Sequence, residues 1–188
     1  LNMNIIEKAD FMKRKNPETG EPYASFQFGL DDVALVHETQ NILDSVKEPF
    51  TMTAVMTNSH YPYHNPHPDK FNRFDNTKIK GRHRNGIDYG LHIADRIVEE
   101  FEKRGMAERT LFVLISDHGE SFGERGAHGH SFSIYNEEVR VPLVFRHKQF
   151  PHVCRDGTRY GGTQWNGSGK SRKIKDGGSP WLSGEGAG

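Results

Sequence analysis

The chain of 188 residues is long enough for one domain with a buried core and too short for two large domains. Its 25 lysines and arginines balance its 25 aspartates and glutamates, so the overall charge favours neither nucleic acid nor an anionic membrane as a partner. A single cysteine, Cys154, excludes an internal disulfide and a paired-cysteine metal site. The 11 histidines, in contrast, supply many metal ligands and proton carriers.

The first predicted elements are a helix and a strand that lead into a polar loop. Residues 1–30 are mostly polar and predict an irregular entry segment. Asp31 and Asp32 are typical of a helix N-cap, and apolar residues follow them at helical spacing. Residues 50–56, FTMTAVM, predict a short buried strand, which opens into the histidine- and proline-rich loop 58–68.

The clearest predicted helix lies between about residues 84 and 104. Its apolar side chains recur at three- and four-residue steps, and they are Ile87, Leu91, Ala94, Ile97, Val98 and Phe101. The apolar runs 110–116, TLFVLIS, and 139–145 then predict two strands on either side of a glycine-rich loop. This order of strand, helix and strand predicts an α/β sheet flanked by helices, with parallel strands.

The carboxyl-terminal residues 155–188 differ in composition from the rest of the chain. They hold ten of the 20 glycines, with serine, lysine and arginine between them and almost no apolar residues. Such a composition predicts a disordered tail. The chain contains no apolar run of bilayer length, and we expect any membrane anchor or signal to lie upstream of Leu1.

The first chemically informative cluster follows the run 110–116. Asp117 and His118 leave this predicted strand directly, and ligands of α/β sheets bind beyond the carboxyl ends of strands. A carboxylate and an imidazole side by side can supply oxygen and nitrogen ligands to one divalent cation. His128 and His130 follow in a loop that can return to the same pocket. Taken alone, an Asp-His pair is more often a capping aspartate beside a surface histidine than a metal site.

The longer sequence around Asp117 and His118 favours the metal site instead. Residues 110–145 read TLFVLISDHGESFGERGAHGHSFSIYNEEVRVPLVF and resemble a segment of the sulfatase family, in the alkaline-phosphatase-like superfamily that includes lipoteichoic-acid synthase-type transferases. The matching residues, in the family's order, are Asp117, His118, Gly119, Glu120, Gly123, Glu124, His130, Tyr135, Glu137, Arg140, Val141, Pro142 and Leu143. The resemblance implies a partial alkaline-phosphatase-like α/β catalytic domain over residues 31–154, between the entry segment 1–30 and the tail 155–188.

The resemblance also implies roles for single residues. Asp117 and His118 fall where the family holds a divalent metal ion, for which we expect Ca²⁺ first and Mn²⁺, Mg²⁺ or Zn²⁺ as alternatives. His130 falls where the family contacts the sulfate or phosphate group, and His128 is its neighbour at the substrate. Glu120 is interpreted as an organiser of the loop, and Arg140 as an ion-pair partner buried near Glu137 or Glu138.

A second resemblance concerns residues 58–63, NSHYPY, which follow the predicted strand 50–56. The family carries a histidine before an aromatic residue and a proline at this place, which makes His60 a substrate-contacting and catalytic residue together with His130. The alternative is a loop histidine that packs against a neighbouring tyrosine. His64 and His67 would complete a zinc site only with a cysteine or glutamate that the loop lacks, so we interpret them as structural.

Together these features imply a metal-dependent sulfatase-type hydrolase that cleaves sulfate esters carried by a small molecule, a glycan or a lipid. The family places such enzymes in an extracytoplasmic or membrane-associated setting. No Cys-x-Pro-x-Arg nucleophile motif occurs, so we expect the nucleophile upstream and the chain alone to be inactive. Two alternatives stay open: a phosphoglycerol or phosphoethanolamine transferase of the same superfamily, and a truncated, non-catalytic remnant.

Overall fold

The computed structural model describes residues 3–148. The chain divides into two compact units, one up to Gly105 and one from Met106 onward. Cys154 and the tail predicted at residues 155–188 lie outside the described residues. Among the residues that are described, no helix combines the length and the apolar character needed to cross a bilayer.

The first unit is built on two long helices. A short helix, α1 (Lys8–Phe11), precedes α2 (Val33–Ser45) and α3 (Ile79–Lys103). Helices α2 and α3 contact each other, and the core lies along their facing apolar stripes. The most deeply buried apolar side chains of these helices are Val33, Ala34, Val36, Tyr89, Ile93 and Phe101.

Helix α3 begins five residues earlier than the sequence predicts. Its first turns carry no apolar stripe, because the buried face there consists of Gly81 and Asn85. The side chain of Asn85 accepts a hydrogen bond from the amide of Phe74 at 2.9 Å and donates one to its carbonyl at 2.9 Å. These polar contacts replace the apolar anchors that a periodicity argument relies on.

The strand predicted at residues 50–56 is not formed. The structure assigns neither helix nor strand to this run, whose side chains from Thr51 onward alternate between exposed and half-buried. A strand is held by hydrogen bonds to a neighbouring strand. None of the described residues pairs with this run, so its high β-propensity alone does not produce a strand.

The second unit contains two small antiparallel ladders. Strand β1 (Phe112–Ile115) pairs with β4 (Leu143–Arg146), with Val113 opposite Phe145. Between them, β2 (Ser121–Phe122) pairs with β3 (His128–Gly129), and the short helix α4 (Asn136–Val139) precedes β4. The prediction of parallel strands is wrong here. A parallel pair needs a crossover that carries the chain back, and a four-residue helix is too short for one. The α/β class itself is confirmed.

Two glycines of α3 give a matched test of packing in the first unit. A Cβ at Gly86 would lie 2.8 Å from the carbonyl oxygen of Asn58, whereas one at Gly90 would lie 3.7 Å from the sulfur of Met56, an ordinary contact. We expect Gly90→Ala to stabilise the chain by up to about 1 kcal/mol through helix propensity. Gly86→Ala should lower the free energy of unfolding in urea instead. Equal stabilisation by both variants would contradict this close approach.

Candidate functional site

The chain turns sharply where β1 ends, and this turn places the first predicted site residues. The Asp117 carboxylate accepts a hydrogen bond from the backbone amide of His118 at 3.0 Å. The imidazole of His118 donates through Nδ1 to the carbonyl of Gly119 at 2.8 Å, because a carbonyl can only accept. The proton of His118 is therefore on Nδ1, and its Nε2 presents a lone pair.

His130 returns to this turn, as the sequence predicts. Its ring stacks on that of His118 with a centroid distance of 3.7 Å and an angle of 25° between the planes. Its Nδ1 donates to the carboxylate of Glu120 at 3.0 Å, which leaves Nε2 of His130 as a second lone pair. The site thus contains two neighbouring imidazoles. Each donates a hydrogen bond to an oxygen through Nδ1 and keeps a lone pair on Nε2.

These three residues form the metal-binding candidate of the described chain. Among residues 3–148, His118, Glu120 and His130 are the group whose ligand atoms all lie within 4.8 Å of one another, and all three side chains are half-buried. A metal-bound histidine commonly donates its second nitrogen to a carbonyl or a carboxylate. His118 makes such a bond to the Gly119 carbonyl, so the group fits a divalent metal ion.

Asp117 lies at the edge of this group. Its Oδ2 is 3.6 Å from Nε2 of His118, and its side chain is 86% exposed. The role of Asp117 and His118 as metal ligands stays a prediction, and the structure adds Glu120 and His130 to the candidates. His128 is exposed and pairs with Phe122 in the β2–β3 ladder, outside the group, so its contact with substrate also stays a prediction.

Glu120 is the candidate metal ligand that the sequence interpretation missed. A signal for it exists, since His118 and Glu120 are two residues apart and side chains at this spacing share one side of an extended chain. The interpretation of Arg140 as an ion-pair partner buried near Glu137 or Glu138 is wrong. Arg140 is exposed, and Glu137 lies 3.9 Å from the guanidinium of Arg125.

In the first unit, His60 lies on an exposed loop. Its Nδ1 donates to the carbonyl of Tyr61 at 2.8 Å, and its ring packs on Phe28 at 4.2 Å. Its Nε2 therefore presents a lone pair toward the outside. His64 stacks on Phe26, whereas Nε2 of His67 contacts the Asp31 carboxylate at 3.0 Å. The three histidines of this loop thus have separate partners.

A buried aspartate holds the start of this loop. The carboxylate of Asp32 accepts the amides of Thr57 at 2.9 Å and Asn58 at 3.0 Å, and the Thr57 hydroxyl at 3.2 Å. Asn58 accepts the amide of Asp32 in return at 2.8 Å. The expected N-cap is therefore shared: Asp32 occupies the position, but Asp31 makes the capping bond to the amide of Val33 at 3.1 Å.

Burial raises the pKa of Asp32 from 3.8 to about 6, although three donors face its carboxylate. Between about pH 4 and pH 6 the folded chain holds a proton there that the unfolded chain has released. The free energy of unfolding should therefore fall as the pH rises through this window, by about 3 kcal/mol at most. Urea unfolding of the wild type minus that of Asp32→Asn isolates this contribution. A difference that is constant from pH 4 to pH 7 would refute it.

Comparison with known proteins decides the family. A family model described as Sulfatase matches residues 6–153, which is most of the chain. The chain belongs to the sulfatase family. The resemblance carried by residues 110–145 is thereby confirmed, and the site around His118 belongs to a family that generally uses a divalent metal.

Two curated relatives are enzymes that transfer groups. Phosphoethanolamine transferase EptA of Salmonella typhimurium is 28% identical over 129 residues, which cover 60% of this sulfatase-family chain and 24% of the relative. Low-salt glycan biosynthesis sulfotransferase Agl7 of Haloferax volcanii is 32% identical over 81 residues, 41% of the chain and 20% of the relative. The matches thus span a quarter or less of either relative. No solved structure matches the chain significantly.

Proposed function

We propose that this chain supplies the metal-binding part of an active site that cleaves or transfers an anionic ester group, with sulfate-ester hydrolysis as the reaction. One observation carries the proposal: the possible ligand atoms of His118, Glu120 and His130 all lie within 4.8 Å of one another. Two imidazoles and a carboxylate are a donor set of zinc enzymes. A metal held there would neutralise charge that develops on the ester oxygens.

The donor atoms favour one class of metal. Ca²⁺ takes six to eight oxygen ligands, whereas imidazole nitrogen suits Zn²⁺ and other transition metals. Because His118 and His130 both direct a nitrogen lone pair away from their tied side, Zn²⁺ or Mn²⁺ fits this group better than the Ca²⁺ that the resemblance suggests first. Asp117, beside Nε2 of His118, adds an oxygen ligand from the open side.

The remaining site residues handle protons and charge. Glu120 fixes Nδ1 of His130 as the protonated nitrogen, so Nε2 is the ring nitrogen that can hold a metal ion. His130 would then contact the anionic ester through the metal ion that it holds. In the first unit, and separately from this site, Nδ1 of His60 is held by the Tyr61 carbonyl, so its Nε2 can accept a proton.

A phosphoethanolamine transferase reaction is the second candidate. It is favoured by the match to EptA, which covers 60% of this chain. Both reactions would place a charged tetrahedral group at the metal site around His118 and His130 and differ in that group. The ester itself is carried by a small molecule, a glycan or a lipid.

A ligand titration separates the two reactions. The Zn²⁺-loaded chain is mixed with 4-nitrophenyl sulfate or with phosphoethanolamine while the NMR signals of the histidine rings are followed. We expect the sulfate ester to shift the signals of His130 at a lower concentration than phosphoethanolamine does. Tighter binding of phosphoethanolamine would support the transferase, and the absence of shifts with either ligand would overturn the proposal.

Metal addition tests the site against a decayed, non-catalytic remnant. A ligand that binds only the folded chain stabilises it by about 2.7 kcal/mol at a concentration of 100 times its Kd. We therefore expect Zn²⁺ to raise the thermal midpoint of the wild type and of His64→Ala, which removes a histidine outside the group. The midpoint of His130→Ala should rise much less. An equal rise in all three proteins would mean that Zn²⁺ binds elsewhere.

A further inference from the structure

Glu138, a buried carboxylate in α4, is not accounted for by the proposed function. Its side chain is only 4% exposed, although it belongs to a helix of four residues in a unit with few buried side chains. A buried carboxylate is stable only when donors surround it. The positions of its donors show what this residue does.

The side chain of Glu138 binds both segments that carry the metal-binding candidates. Its Oε2 accepts the amides of Phe132 at 3.0 Å and Ser133 at 3.1 Å, just after His130. Its Oε1 accepts the hydroxyl of Ser133 at 2.7 Å and that of Ser121, the residue after Glu120, at 3.4 Å. The Ser133 hydroxyl is the main reason why the pKa of Glu138 lies below its usual value, so the acceptor stays ionised.

The backbone of the same residue reaches the third candidate. The carbonyl of Glu138 accepts the amide of Gly119, which follows His118, at 2.8 Å. A Cβ at Gly119 would overlap the neighbouring carbonyl of Glu137, so only glycine permits this approach. One residue is therefore bonded next to His118, next to Glu120 and two residues beyond His130.

The loop between His130 and these bonds needs such a restraint. Ser131 has a φ of 72°, in the left-handed region that serine seldom occupies. A residue in this region costs on the order of 1 kcal/mol and persists only where its surroundings fix it. The two amides that Glu138 binds are those of the next two residues, so its carboxylate fixes the turn that returns His130 to His118.

We infer that Glu138 is a positioning residue for the metal site, holding the ring of His130 against that of His118. This role rests on the proposed function of the site, but the geometry of the rings tests it without metal. The matched control is Glu137→Ala, because Glu137 belongs to the same helix and its carboxylate faces Arg125 instead.

The first measurement uses the metal-free full chain. Rings stacked at 3.7 Å shift each other's proton signals upfield, and Glu138→Ala should remove this shift from His118 and His130, whereas Glu137→Ala should keep it. Glu138→Gln should lie between, because its amide oxygen still accepts both backbone amides. If Glu138→Ala does not fold, Ser133→Ala weakens the same restraint. Unchanged ring shifts in the folded variants would overturn the inference.

The second measurement is the affinity for Zn²⁺ by calorimetry. Residues that orient metal ligands typically contribute 10- to 100-fold to affinity. We expect a loss of at least tenfold in Glu138→Ala, partial recovery in Glu138→Gln and a change within about threefold in Glu137→Ala. If the wild-type chain binds no Zn²⁺ while its ring shifts still depend on Glu138, the metal site is refuted. The role of Glu138 in positioning the two rings then stands. Full affinity in folded Glu138→Ala would refute the positioning role alone.

Discussion

Replacement of His118 by alanine is expected to lower the affinity of the chain for Zn²⁺ by on the order of a hundredfold or more. The variant loses the imidazole of His118. The Nδ1 of this ring is held by the Gly119 carbonyl, so its Nε2 is already oriented as a ligand. It also removes the ring on which His130 stacks, so the second imidazole loses one of its two contacts in the site. Both effects act on the same ion, and their sum should exceed the effect of an orienting residue.

The control for this prediction is His64→Ala. His64 is an exposed histidine in a different loop. Its ring stacks on Phe26 rather than on a second candidate ligand. Calorimetric titration of both variants with Zn²⁺ should show a large loss for His118→Ala and a change within about twofold for His64→Ala. Equal affinities would show that the group around His118 does not hold the ion. Glu120→Gln should fall between the two, because Gln still accepts the proton of His130 Nδ1.

The site was more predictable from sequence than the sheet was. A glycine and an apolar run locate the turn that exposes Asp117 and His118, and local chain geometry keeps those residues together whatever the sheet does. The return of His130 followed from its resemblance to a family segment. The bond of Glu120 to His130 required the three-dimensional structure, because it depends on the path of a loop with a left-handed residue at Ser131.

The predictions of strands and of their pairing were wrong for a different physical reason. The run 50–56 has the composition of a strand, but composition does not supply a hydrogen-bonding neighbour. The antiparallel pairing of β1 with β4 depends on how the connecting residues 116–142 fold, and no periodicity in either strand reports on that. Helix α3 was predictable wherever its buried face was apolar and was missed where Gly81 and Asn85 take its place.

Replacement of Asp32 by alanine should release the loop that carries His60. The amides of Thr57 and Asn58 lose their acceptor, and a buried donor without a partner costs about 1–3 kcal/mol. Burial of the charged carboxylate opposes this loss, so we expect a net destabilisation of about 2 kcal/mol at neutral pH. The sharper result is local: the amides of Thr57 and Asn58 should exchange with solvent at least tenfold faster.

Two further variants separate this clamp from ordinary packing. Asp75→Ala removes an exposed aspartate of the same unit whose bonds go to Thr77, and it should leave exchange at Thr57 and Asn58 unchanged. Asp32→Asn keeps an acceptor oxygen and should show an intermediate rate. If Asp32→Ala lowers global stability but leaves exchange at these two amides slow relative to the rest of the unit, the loop is held by the close approach of Gly86 instead. Because His60 donates its own amide to the Thr57 carbonyl at 3.0 Å, faster exchange there also means that His60 has lost its fixed position.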